Sequence, residues 1–201
     1  KSWTKSLFPK IFSEQEDLNS AAWEGYLIGT LYDPLFIDLK PYYVAAINNL
    51  SKEKPKRKYS RELDEGLAVT LGTAYSYDIL KINNDLFTEF FTKANSKQRG
   101  SLISYIGRAY ISGSAFQGKP LPTASWQQLW EERLAKTNDI EELKEFGWWA
   151  NDKIFDIEWL LQKLKLTSEK TGGNLEGDHI FLQLAAKYAQ TSPALTIDIL
   201  D

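Results

Sequence analysis

Apolar residues recur every three or four positions through most of this chain, and no stretch alternates as a strand would. Trp3, Leu7, Phe8 and Ile11 predict a short helix over 2–12, disturbed by Pro9. Trp23, Tyr26, Leu27 and Leu31 share one face of a helix over 20–32, which Asp33-Pro34 stops. Phe36, Leu39, Tyr43, Ala46, Ile47 and Leu50 mark a helix over 35–50, kinked or divided at Pro41. Residues 61–82 carry two stripes, Leu63-Leu67-Leu71-Ala74 and Ala68-Tyr75-Ile79-Ile82, and so predict a long helix covered on two sides. Asn84 caps a short helix ending at Ala94, and Ser96 caps the next, with Leu102, Ile103, Ile106 and Tyr110 on one face. Beyond a Gly/Pro loop, Ser125 with Gln128 and Asn138 with Glu141 read as capping boxes for helices over 126–136 and 140–150. Asp156 opens a helix to 166, Gly172-Gly173 starts a loop, 179–190 is helical, and Ser192-Pro193 opens a last helix.

These make about ten helices. They pair off as 20–32 with 35–50, 61–82 with 85–94, 97–112 with 125–136, 140–150 with 156–166, and 179–190 with 193 onward. The pairs recur roughly every 40 residues, the period of HEAT-type repeats. The expected fold is therefore all-α: one helical repeat domain over 1–201, built as a right-handed α-solenoid of HEAT-like helix pairs. A single irregular helical domain is the alternative. The densest aromatic stretch is 146–161, with Phe146, Trp148, Trp149, Phe155 and Trp159. Aromatic side chains dominate core and interface energetics, so neighbouring helices should meet there.

Composition narrows the classes without naming one. The chain has 201 residues, 43% hydrophobic and 25% charged, with a net charge of -3. That mild balance gives no whole-chain field for nucleic acid or membrane. The absence of cysteine removes disulfides, thiol catalysis and cysteine-ligated zinc. No apolar run approaches the roughly 20 residues that span a bilayer, and Lys1 to Phe12 holds no leader-like apolar segment. A cytoplasmic protein with no membrane partner is expected. The chain opens at Lys1 without an initiator methionine and stops at Ile199-Leu-Asp201 inside a helical pattern, which predicts a segment of a longer polypeptide. Methionine is absent throughout.

Candidate chemistry is sparse. His179 is the sole histidine and sits at a helix start, where an exposed or capping role fits better than a general base. Glu131-Glu132, Glu141-Glu142 and Asp152/Asp156 are paired carboxylates that read as solvated faces and caps; catalysis or metal binding would need two to converge on one cleft. The basic run Lys52, Lys54, Lys56, Arg57, Lys58 and Arg61 could meet phosphates or an acidic partner. Trp126, Trp130, Trp148, Trp149 and Trp159 fit core packing better than a ligand platform. Trp148 and Trp149 are adjacent and point about 100° apart on a helix, so one of them should lie near the surface. The candidate partner-binding residues are Trp148, Trp149, Lys54, Lys56, Arg57 and Lys58. No catalytic, metal-ligating or cofactor-binding residue is assigned.

The phrases Glu142-Leu-Lys-Glu-Phe-Gly-Trp-Trp149, Phe155-Asp-Ile-Glu-Trp-Leu-Leu161 and Ile180-Phe-Leu-Gln-Leu-Ala-Ala186 are similar to the C-terminal HEAT-like helical regions of large bacterial NTPases of the STAND class. Trp23-Glu-Gly-Tyr-Leu27 and Pro34-Leu-Phe-Ile-Asp-Leu39 fit the same pattern. Some members of that class are antiviral defence proteins with an effector domain, an NTPase and a helical sensor. The resemblance brings no catalytic residue, and the G-x-x-x-x-G-K-[ST] phosphate loop of the NTPase is not in this chain. It implies a sensing or scaffolding segment that binds a protein partner or another domain of its own chain. The alternatives are a standalone helical enzyme using carboxylates and a divalent metal, and a nucleic-acid contact through residues 52–61.

Overall fold

The computed structural model describes residues 2–11, 15, 18–19, 21–22, 25–26, 33–50, 63–113, 120–191 and 193. Within them lie nine α-helices and no strand, so the protein is all-α across its described residues. They are α1 (Ser2–Ile11), α2 (Asp33–Asn48), α3 (Leu63–Ser76), α4 (Asp85–Lys93), α5 (Ser96–Ile106), α6 (Thr123–Lys136), α7 (Ile140–Leu143), α8 (Ile157–Thr171) and α9 (Asp178–Tyr188). Two tighter or wider turns extend them: a π-turn, Gly107–Ile111, after α5, and a 3₁₀ turn, Lys144–Trp149, after α7. Pro41 lies inside an unbroken α2. Of the helix expected over 20–32, residues 21–22 and 25–26 are helical. The last helix from Ser192-Pro193 falls outside the described residues except at Pro193.

Several helix ends differ from the sequence expectation, each for a local reason. The stretch 61–82 is not one helix. It stops at Ser76, where Asp78 adopts a left-handed φ of 63°. The Ile79 amide then reaches back to the Ala74 carbonyl at 2.9 Å, which closes the helix end without a glycine. Asn95, not Ser96, caps α5, and Gln98 completes its capping box; the Ser96 hydroxyl is engaged by Asp139. Asp139, not Asn138, caps α7, because the Asn138 amide oxygen accepts from Lys170 at 2.7 Å. Helix α6 begins at Thr123 behind Pro122 with no side-chain cap, so the Ser125/Gln128 box does not form. Asn84 and Asp156 cap α4 and α8 as the sequence predicts.

The expected neighbour pairs hold only in part. Helix α3 meets α4 through Tyr75 stacked on Phe87, with ring centroids 4.7 Å apart. Its most extensive packing is with α5 instead, and α2 packs on α4. The short α4 acts as a crossing element that returns α5 alongside α3. Helix α6 packs on α3 and α8, while α5 carries α7 and the 3₁₀ turn on its other side. The core runs through Leu71, Leu102, Ile103, Trp126, Trp130, Phe146, Trp149 and Leu160, all buried. Trp130 stands at its centre: it stacks on Phe146 at 4.9 Å and meets Trp149 and Trp159 edge-on at 5.7 and 5.6 Å.

A charged cluster ties α5, α6 and α7 together. The Glu142 carboxylate is fully buried. It takes hydrogen bonds from Arg99 Nε and, at 2.5 Å, from Arg133 Nε. Arg99 also bonds Asp139 at 2.9 Å, and Arg133 lies over the Phe91 ring at 4.4 Å. The expectation that Glu141-Glu142 forms a solvated face is thus corrected for Glu142. Two guanidiniums around one carboxylate supply the hydrogen bonds that a buried charge requires.

Candidate functional site

The residues following α7 make a 3₁₀ turn rather than the continued helix expected to 150. Gly147 explains the departure. A side chain there would collide with the Glu176 carbonyl, and the strand of chain carrying Glu176 is pinned alongside by its amide bonding the Lys144 carbonyl at 2.9 Å. The turn is drawn against the end of α5, where the π-turn widens the backbone by one residue. At Gly107 a Cβ would lie 2.7 Å from both Trp148 Cβ and Trp149 Cδ1, so only glycine admits this approach. Two side chains clamp the turns together: Ser112 Oγ donates to the Trp148 carbonyl at 2.8 Å, and Asn151 Nδ2 donates to the Ile111 carbonyl at 2.7 Å.

The adjacent tryptophans part company here, as their angular separation requires. Trp149 is fully buried, its indole N–H donating to the Ile103 carbonyl at 2.9 Å. As a partner-binding residue it has no surface to offer. Trp148 is half-buried, packed at the margin of the core between the π-turn and the start of α9. The exposed Arg108 lies over its ring, Cζ 5.3 Å from the centroid. The exposed His179 meets it edge-on, with ring centroids 6.0 Å apart. Beneath, the Glu145 carboxylate is held by the side chains of Ser104 and Trp148; burial raises its pKa, and the nearby Glu176 charge adds to the rise. Lys144 answers Glu141 at 3.0 Å and Glu176 at 3.4 Å.

A second half-buried tryptophan gives the comparison that singles out Trp148. Trp159 donates its N–H to Glu131 at 3.0 Å, and Lys163, beside the Trp159 ring, pairs with the same carboxylate at 3.0 Å. Those bonds, that to Trp159 first, hold the Glu131 carboxyl below its usual range. That set is closed on itself. Arg108, by contrast, has no carboxylate or carbonyl partner among the described residues.

The other sequence candidates do not converge. Asp152 accepts from Lys187 and from Tyr188 Oη, the latter at 2.7 Å, while Asp156 is spent capping α8. Glu132 pairs with Lys136 at 2.7 Å. His179 is exposed, facing Trp148 rather than a carboxylate. Trp126 and Trp130 are buried, donating to Ser76 and Thr167. Lys54, Lys56, Arg57 and Lys58 lie outside the described residues. Among the described residues no group of three or more histidine or carboxylate side chains could hold a metal ion, and no helix is long and apolar enough to cross a membrane. Arg108 and Glu145 escaped the sequence reading. Arg108 sits in an unremarkable helical pattern whose π-turn leaves no residue signature, and Glu145 passes as one more acid favouring a helix dipole.

Comparison with protein-family models finds no match, and neither the curated proteins nor the solved structures searched contain one that matches the chain.

Proposed function

We propose that this chain is a non-catalytic helical scaffold or sensor segment that binds a protein partner, or another domain of its own polypeptide, through the face centred on Trp148. One observation carries the reading: a half-buried tryptophan lies under an arginine that has no acidic partner among the described residues. Tryptophan and arginine are the residues most enriched at the energetic centres of interfaces. The packing of α2 on α4 and of α3 on α5 supports a layered, solenoid-like stacking, because repeat layers contact their own kind one layer on. The resemblance to helical sensor regions of STAND-type NTPases supplies the setting, including antiviral defence, and rests on the sequence pattern alone. Against an enzyme using carboxylates and a metal stands the occupation of each carboxylate pair by separate structural partners.

The test is retention of proteins from the source cells on the immobilised chain. A protein retained by the native chain and by Trp159→Ala, and lost with Trp148→Ala, is the expected result. Equal retention by Trp148→Ala would overturn the reading. So would a rise in the unfolding midpoint with Mg²⁺, Mn²⁺ or a nucleotide, since only a ligand of the native state produces one.

A further inference from the structure

We infer that the Trp148 face recognises a protein segment presenting a single side-chain carboxylate next to an apolar side chain. This rests on the partner-binding reading and specifies its chemistry. Arg108 lies over the indole face, with its Cζ 5.3 Å from the centroid. A guanidinium presents five N–H donors in a planar fork, and that fork matches a carboxylate with two parallel hydrogen bonds. Among the described residues the Arg108 guanidinium has no hydrogen-bond or ion-pair partner. The indole beside it remains partly exposed and supplies the apolar contact.

The surroundings set how much negative charge the site accepts. Glu145 lies under Trp148, Glu176 faces Glu145, and Asp178 sits between Gly177 and His179, both of which touch Trp148. Lys144, the cation paired with these acids among the described residues, is already shared by Glu141 and Glu176. A phosphate or a polyanion would bring two or more charges towards three carboxylates. One carboxylate meets Arg108 at the outer edge and is matched by it. The Arg108 backbone is fixed by the clamped π-turn, so the side chain loses less freedom on binding than one on a mobile loop.

The experiment uses the isotope-labelled 201-residue chain and four short peptides, read by the indole N–H resonance of Trp148, which the Trp148→Phe variant assigns. The first peptide is acetyl-Ala-Phe-Glu-Ala-amide. The second and third carry Gln or Lys in place of Glu, and the fourth is the Gln peptide with a free C-terminus. The Glu peptide should bind at least about tenfold more tightly than the Gln peptide, the size expected of hydrogen bonds to a charged group. Arg108→Gln should erase that difference and leave the unfolding midpoint unchanged. Equal binding of the Glu and Gln peptides, tighter binding of the Lys peptide, binding of the free-terminus peptide alone, or no shift with any peptide at millimolar concentration would each overturn the inference. None of these outcomes decides whether Trp148→Ala loses its cellular partner, so the two readings fail separately.

Discussion

Glu142 and Glu145 lie three positions apart, and burial treats them in opposite ways. Glu142 is enclosed by Arg99 and Arg133, so its charge is answered where it sits. Removing it with Glu142→Ala leaves the buried Arg133 without a carboxylate partner, and the expected loss is about 3–5 kcal/mol, read from the urea midpoint. Glu145 has no such enclosure. Its neighbours include another carboxylate, and burial raises its pKa. A raised pKa means that the folded state holds the proton more tightly than the unfolded one. Its ionisation therefore costs stability, absent below the ordinary carboxylate range and fully present once pH has risen through the raised pKa. Glu145→Gln should unfold at a higher temperature than the native chain at neutral pH, with the gap closing in acid. A gap independent of pH would show that packing, not ionisation, separates the two. Asp152 runs the other way: its bonds to Lys187 and Tyr188 lower its pKa, so its contribution is present at neutral pH and is lost in acid. In the sequence all three acids look alike.

At the level of elements, the caps show what a local pattern can and cannot reveal. Asn84 and Asp156 were legible because each side chain is left to its own helix, accepting from the Leu86 and Trp159 amides. Asp156→Ala should cost about 1 kcal/mol, measured by chemical denaturation. Ser96 and Asn138 were equally good by type, but tertiary partners hold both side chains, and the neighbouring Asn95 and Asp139 cap instead. No single-sequence rule sees a competitor from another helix. The break at Asp78 was hidden for a related reason: left-handed ends are usually marked by glycine, and here an aspartate takes the role. The π-turn and the 3₁₀ turn were invisible because both depend on backbones meeting at glycines that the sequence shows only as gaps in an apolar stripe. Gly107→Ala should destabilise by about 1–3 kcal/mol and should move the Trp148 indole resonance, which a purely distant packing defect would leave in place.

For the molecule as a whole, the helical class and most of the buried set could be read ahead: of the two stripes over 61–82, Leu67, Leu71, Ala74, Ala68, Tyr75 and Ile82 are buried and Ile79 is half-buried, even where the helix itself has ended. The order of packing could not, because periodicity says which face is covered and nothing about what covers it. The aromatic cluster joins α6, the 3₁₀ turn and α8 around Trp130, so those elements should lose structure together. Near-ultraviolet signals from the indoles and far-ultraviolet signals from the helices should fall in one coincident transition. The Arg99–Glu142–Arg133 cluster has a consequence for the order of events at birth. A ribosome delivers Arg99 and Arg133 before the acids at 139 and 142 that neutralise them. Until those acids emerge, the growing polypeptide holds two like charges at the place where its interior must close. Closure of the seam between α5 and α6 thus waits on the stretch 139–142, and Phe146, Trp149, Phe155 and Leu160, which complete the interior, are made later still.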